Sequence, residues 1–214
     1  MKVISTNIGS PTKIHWKGFE EQTGIFKYPT KDAIFLGSSQ VDKDTVTDRK
    51  HHGGIFKACY LFSASQYPFW QKHYPSLSWD WGMFGENITI DSMPENDLLI
   101  GSVYTLGSAT VQITIPREPC YKLGIRFKDQ EVIKAFVDHG HPGTYVKVLQ
   151  EGKVRKGDSF VLKETADQKL SIADVYKLLY DKEKNIDLLN LALRCEAIPE
   201  RTKDKLKRYQ KKGP

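Results

Sequence analysis

The chain has 214 residues, of which 39% are hydrophobic and 27% are charged. This composition is typical of a folded globular protein and excludes an intrinsically disordered chain. No apolar run in the sequence reaches the ~20 residues that a membrane-spanning helix needs, and the first residues are too polar for a secretory signal. We therefore expect a cytoplasmic protein that makes no use of a membrane.

The cysteines limit the chemistry that the chain can perform. Cys59, Cys120 and Cys195 are too far apart for a CxxC-type zinc or iron–sulfur site. Cys59 lies in an apolar strand-like run and Cys195 follows a leucine-rich segment, so we assign both to the core. The sequence also has no GxGxxG, P-loop or GxSxG motif, which are the usual signatures of dinucleotide, ATP and hydrolase sites. Any thiol chemistry therefore depends on Cys120.

Up to residue 164, short segments rich in β-branched and aromatic residues alternate with turn residues. This texture predicts a mainly β domain over residues 1–164. A helix follows Ser63, which is its predicted cap, and a second helix spans 129–139 with Gly140 as its left-handed stop. The pattern also predicts two hairpins, one joining 102–106 to 110–115 and one joining 144–149 to 159–162.

The remaining residues, 165–214, are predicted to form a small three-helix domain with a basic tail. A capping box opens the first helix at Ser171, Asn185 or Asp187 starts the second, and Pro199 suits the first turn of the third. This segment carries 12 Lys and Arg against 8 Asp and Glu. Because three short helices bury little apolar area alone, we expect them to pack on the β domain or on another chain, as in a homodimer.

The segment after the best predicted strand combines two prolines, charged residues and a cysteine: Pro116-Arg117-Glu118-Pro119-Cys120-Tyr121-Lys122. Prolines three residues apart stiffen the backbone that presents Cys120. Neighbouring cations such as Arg117 and Lys122 favour the thiolate, which attacks electrophiles and binds metals. Cys120 is therefore our candidate reactive residue; the alternative is a buried filler beneath a surface turn.

A second group of residues surrounds a Gly-Gly turn. Gly53 and Gly54 let the backbone approach a ligand and aim N–H groups at an anion, and cations flank them at Arg49, Lys50 and Lys57. His51 or His52 can hydrogen-bond a ligand there. This pattern indicates an anion site, with a solvated turn as the alternative.

A third, weaker pattern is Gly85-Glu86-Asn87, which leads into a predicted strand. Its polar groups could hydrogen-bond a polar heterocycle, but residues of these types are also common in ordinary turns.

Together these motifs resemble the MOSC domain family, named for the C-terminal domain of the molybdenum cofactor sulfurase. They occur in the family's order: His51-His52-Gly53-Gly54 with Lys57-Ala58-Cys59-Tyr60, then Phe84-Gly85-Glu86-Asn87, then Pro116 to Leu123. The helical end of the chain is similar to the three-helix extension of the YiiM-like branch. One position departs from the family, since Lys43-Asp44 stands where relatives usually have Gly-Asp.

The resemblance implies a β-barrel-like domain that binds the molybdenum cofactor, a pterin whose sulfurs hold the metal and whose phosphate needs cations. Cys120 would be the thiolate on molybdenum and the catalytic residue, in keeping with the affinity of soft sulfur for such a metal. The rest of the cofactor would lie against Lys57, Arg117, Lys122, His51, His52, Gly53, Gly54, Glu86 and Asn87.

Members of this branch reduce N-hydroxylated compounds, including hydroxylaminopurine-type base analogues, to amines. The resemblance therefore implies a molybdenum-dependent oxidoreductase. The sequence has no flavin-binding signature and too few clustered cysteines for an iron–sulfur relay. A flavin-dependent or similar reductase would then be the partner that supplies electrons.

Three other functions compete with this one. A thiol beside an anion site also suits a cofactor carrier or a sulfur-transfer module without turnover. A cysteine hydrolase would pair Cys120 with His51, His52 or His139. The basic tail, residues 201–212, could bind nucleic acid, although a solvated helix face is the simpler interpretation of clustered lysines.

Overall fold

The structure is a computed structural model that describes residues 1–47 and 53–210. In these ranges twelve strands are present: β1 (Val3–Gly9), β2 (Thr12–Trp16), β3 (Phe19–Thr23), β4 (Lys27–Pro29), β5 (Ile34–Leu36), β6 (Cys59–Ser63), β7 (Ile88–Ile90), β8 (Val103–Leu106), β9 (Ala109–Pro116), β10 (Thr144–Gln150), β11 (Gly152–Val154) and β12 (Phe160–Glu164). The α-helices are α1 (Tyr67–His73), α2 (Tyr121–Phe127), α3 (Val132–His139), α4 (Ile172–Tyr180), α5 (Ile186–Arg194) and α6 (Glu200–Gln210). No helix in the described ranges is both long enough and apolar enough to span a bilayer.

Eight strands form one mixed sheet in the order β12-β8-β9-β10-β6-β7-β1-β4. Among the strands of the described ranges, only β6 and β7 pair in parallel. The start of β1 also meets the residue before β12, through a bridge between Lys2 and Ser159, and the Phe160 N–H donates to the Met1 carbonyl at 2.8 Å. The sheet thus curves back on itself, and the expected mainly β, barrel-like fold is confirmed.

Aromatic side chains fill the space between this sheet and helices α1 to α3. Phe62 of β6 and Phe84 lie with their ring centroids 4.2 Å apart, and Trp70 of α1 stacks with Phe136 of α3 at 5.9 Å. All four side chains are fully buried. Burial of this aromatic surface stabilises this side of the sheet.

The hairpin predicted over 102–115 is confirmed as β8 and β9, which are antiparallel. The hairpin predicted between 144–149 and 159–162 is wrong. Strand β10 pairs with β9 and β6, whereas β12 pairs with β8 at the edge of the sheet. The intervening strand β11 pairs instead with β5, so the chain leaves the main sheet between β10 and β12. Local turn residues could not reveal this pairing because it depends on strands far away in sequence.

Both helices predicted within the β domain are present, with two differences. The side chain of Ser63 does not cap α1; it hydrogen-bonds Ser65 at 2.8 Å, and a single 3-10 turn precedes the helix. Helix α3 begins at Val132, three residues later than predicted. It ends as expected at Gly140, whose φ of 76° is left-handed.

The three C-terminal helices follow the end of β12 at Glu164 and pack on the β domain, which is one of the two arrangements expected from the sequence. Ile172 donates to the Leu98 carbonyl at 2.9 Å, and the buried side chains of Val175 and Leu178 join the same core as the sheet. The proposed division into domains 1–164 and 165–214 stays a prediction.

The capping box at the start of α4 gives a testable prediction. The Ser171 hydroxyl accepts from the Asp174 N–H at 3.0 Å, and the Asp174 carboxylate accepts from the Ser171 N–H at 2.9 Å. The substitution Ser171→Ala should lower the free energy of unfolding by about 1 kcal/mol, because an N–H at the helix start loses its acceptor. Urea denaturation of Ser171→Ala and of the exposed control Ser92→Ala measures this. Equal stability of the two variants would contradict the assignment.

Candidate functional site

Sheet register brings the three predicted motifs together. Pro116, the last residue of β9, pairs with Thr144, the first residue of β10, and the next residue, Tyr145, pairs with Tyr60 of β6. The chain that leaves β9 therefore passes beside the turn that precedes β6. Thr114 fixes this approach by donating to the Phe56 carbonyl at 2.7 Å.

Cys120 lies at the junction of two cavities. We call them the inner cavity, whose wall includes Arg117, Lys122 and Asn87, and the outer cavity, whose wall includes Gly54 and Glu118. Lys57, Cys120 and Tyr145 line both. The cavity volume is about 90 Å³ for the inner cavity and about 530 Å³ for the outer one, so a guest larger than a water cluster can reach the thiol from the outer cavity.

Cys120 is partly exposed, and no disulfide joins it to Cys59 or Cys195. It occupies the extended residue immediately before α2. The sequence predicted a stiff loop through this region. It did not predict the helix that begins at Tyr121, one residue after the cysteine. The sulfur is therefore presented by a proline-rich segment on one side and a helix on the other.

The guanidinium of Arg117 is buried, although it lines the inner cavity. It lies over the rings of Tyr60 and Phe136, with its central carbon 5.3 Å from each ring centroid. The side chain is only 4% exposed, and its Nη1 atom has no hydrogen-bond partner among the described residues. A buried cationic donor without an acceptor is costly, and an anionic guest in the inner cavity would supply the missing acceptor.

Lys57 and Tyr145 adjoin Arg117 at the junction of the cavities. The Lys57 ammonium lies 5.3 Å from the centroid of the Tyr145 ring. Burial raises the pKa of Tyr145 to about 12, so the phenol is neutral at pH 7 and can donate a hydrogen bond. The sequence did not single out Tyr145, because its position in the walls of both cavities follows from the cross-strand pairing of β10 with β6.

The opposite wall of the inner cavity contains a buried ion pair. Lys27 and Asp44 have side chains 7% and 3% exposed and are in direct contact. The carboxylate of Asp44 also accepts from the Asn87 side chain and from the Gly9 N–H, both at 2.9 Å. Lys43, at the position where relatives usually have glycine, takes a left-handed φ of 60°, so the backbone keeps the conformation that glycine would favour.

Glu86 lies beneath the site rather than in either cavity wall. It is fully buried, and its carboxylate accepts hydrogen bonds from Tyr67, from Thr89 and from the backbone of Gly82 and Phe84. Burial raises its pKa, and these hydrogen bonds oppose that rise. Glu86 therefore shapes the loop that carries Asn87, and of the predicted pair only Asn87 faces the inner cavity.

The Gly-Gly motif is described only in part. Gly53 and Gly54 line the outer cavity, and Gly54 has a φ of 97°, which side-chain-bearing residues rarely adopt. Asp48, Arg49, Lys50, His51 and His52 lie outside the described residues.

The remaining candidates lie elsewhere. Cys59 is 1% and Cys195 6% exposed, and burial raises the pKa of both thiols, as expected for core residues. His139 stacks on Phe69 and lines a separate surface groove, so the structure does not bring it to Cys120. In the basic helix α6, Lys203 and Lys207 form ion pairs with acidic residues of the same helix.

The residues that line the inner cavity fit an anionic, sulfur-binding guest. Among the described residues they supply one thiol, one buried guanidinium with an unpartnered donor, and three ammonium groups, namely Lys57, Lys122 and Lys27, the last of which is paired with Asp44. These groups match the phosphate and the soft metal of the molybdenum cofactor. Within residues 1–47 and 53–210, no group of three or more His, Cys, Asp or Glu side chains is placed to hold a metal ion.

The buried ion pair gives a second prediction. The substitution Asp44→Asn leaves the Lys27 cation buried without a counter-charge, so it should lower the free energy of unfolding by about 3 kcal/mol. The exposed Asp42→Asn variant is the matched control. Thermal and urea unfolding measure both, and a loss no greater than that of the control would show that the pair does not support the cavity wall.

Comparison with known proteins agrees with the fold. The family model of the MOSC domain matches residues 48–161. YflK of Bacillus subtilis (strain 168) is 33% identical over 92% of this chain and 89% of its own length. A protein of Gibberella moniliformis named "Reductase" is 30% identical over 85% of this chain, which spans only 32% of that protein. The crystal structure of YiiM from Geobacillus stearothermophilus superposes with a TM-score of 0.80 at 26% identity and covers 97% of both chains.

Proposed function

The chain belongs to the MOSC domain family, and from this premise we propose that it binds the molybdenum cofactor and reduces N-hydroxylated compounds to amines. The observation that carries this proposal is the shared wall of the inner cavity, where the thiol of Cys120 and a donor of Arg117 that has no partner within residues 1–47 and 53–210 face the same space. A buried cation and a reachable thiol together suit a guest that is both anionic and metal-bearing.

In this proposal each residue has a binding or positioning role. The Cys120 thiolate would hold the metal, and Arg117, Lys57 and Lys122 would neutralise the phosphate. Asn87, held by Asp44, would hydrogen-bond the pterin. When bound, the cofactor would supply the redox centre that the protein side chains lack.

The reaction consumes two electrons and two protons for each substrate molecule. The N–O bond breaks, the nitrogen leaves as the amine and the oxygen leaves as water. The outer cavity is the space next to Cys120 that is open to such a substrate, and the neutral Tyr145 phenol lies on the border of both cavities. A phenol at that position can donate a hydrogen bond to a polar substrate.

We also propose that the electrons come from a separate flavin-dependent or similar reductase. About two thirds of the Gibberella moniliformis protein named "Reductase" lie outside the part that matches this chain. This size difference supports a division in which the matched part binds the substrate and another protein or segment delivers electrons.

The role of Cys120 gives the third prediction. Protein expressed in a host that makes the cofactor should contain molybdenum, and Cys120→Ala should lose most of it because the metal loses its protein ligand. The matched control is Cys195→Ala, which makes the same substitution at a cysteine of the core. Metal content is measured by mass spectrometry of the purified proteins. Equal molybdenum in wild type and Cys120→Ala would contradict ligation by this residue.

Turnover separates the reductase from the cofactor carrier. Loaded protein supplied with a dithionite-reduced dye should convert 6-hydroxylaminopurine to adenine, and Cys120→Ala should not. Full loading with no reduction of any hydroxylamine would instead support the carrier function.

A further inference from the structure

Helix α6, from the C-terminal part of the chain, supplies one wall of the outer cavity. Arg201 and Lys205 both line that cavity together with Cys120. They are four residues apart, so they lie on the same face of the helix. The site is therefore built from the β domain and the C-terminal helices together.

Lys205 also ties this helix to the segment that carries Cys120. Its ammonium lies 2.7 and 2.8 Å from the two carboxylate oxygens of Glu118. This contact orients the first turns of α6 over the outer cavity. Only Pro119 stands between Glu118 and Cys120 in the sequence, so the helix is held close to the thiol.

The described residues that line the outer cavity carry a net positive charge. Lys57, Arg201 and Lys205 stand among them against one carboxylate, that of Glu118. Burial lowers the pKa of Lys57; Glu118 raises it, and the nearby charges of Lys205 and Arg201 lower it further. The three cations thus act on one another, and an added anion would relieve their repulsion.

We propose that Arg201 and Lys205 form a subsite for an anionic group of the substrate. Substrates that carry a phosphate or a carboxylate besides the N-hydroxyl group would then be favoured over neutral ones. This inference rests on the proposed function, because it assigns the outer cavity to the substrate. A charged group held by α6 would fix the distance between the N–O bond and Cys120.

Two matched substrate pairs test the subsite with a reduced dye as electron donor. One pair is N6-hydroxyadenosine and its 5′-monophosphate, and the other is phenylhydroxylamine and 4-hydroxyaminobenzoate. Arg201→Gln should lower kcat/KM for the charged member of a pair about fivefold to tenfold and leave the neutral member unchanged. The two pairs show whether phosphate, carboxylate or both are accepted. Arg208→Gln, an exposed cation on the same helix that does not line the cavity, is the control.

Equal loss for the charged and neutral members would overturn the subsite, since Arg201 would then serve the cofactor or the cavity wall. A second measurement does not require turnover. Calorimetric titration of the purified protein should show tighter binding of adenosine 5′-monophosphate than of adenosine, and Arg201→Gln should remove the difference. If wild type reduces none of the substrates, the proposed function fails, while the titration still tests the subsite; equal affinity for the two ligands would overturn it.

Discussion

The site depends on one buried cation. Arg117 is held between the rings of Tyr60 and Phe136, where aromatic faces replace part of the water that a guanidinium loses on burial. They do not replace all of it, since Nη1 has no hydrogen-bond partner among the described residues. A protein whose only requirement was stability would be expected to place an apolar side chain there. The anionic cofactor proposed above would neutralise this charge.

The rest of the architecture holds this cation beside a thiol. The pairing of β9, β10 and β6 places Tyr60 and Tyr145 next to the chain that leaves β9, and that chain reaches Cys120 three residues after Arg117. On the other side, the Lys27–Asp44 pair and Asn87 close the inner cavity. The two cavities share Lys57, Cys120 and Tyr145, so a cofactor in one and a substrate in the other would meet at the sulfur.

Much of this could be predicted from local sequence. Cys120, Arg117 and Lys122 stood out because the prolines and charges lie within seven residues, and the C-terminal helices followed from their caps at Ser171 and Asn185. The misassigned hairpin and the omission of Tyr145 have a common cause: the partners involved, β6 for β10 and β8 for β12, are distant in sequence. From the sequence alone, the cations of α6 were interpreted as a solvated helix face, because only tertiary packing brings the helix over the cavity.

The central claim is that the charge of Arg117 serves a bound anion rather than the fold. The substitution Arg117→Met tests it most directly, because methionine keeps a long side chain between the two rings but removes the charge and its donors. The measurement compares pterin released from the purified protein with the urea midpoint of unfolding. We predict that the variant loses its pterin while its midpoint stays at or above the wild-type value. Pterin content equal to wild type, or a collapse of stability with pterin still bound by the folded fraction, would contradict the claim.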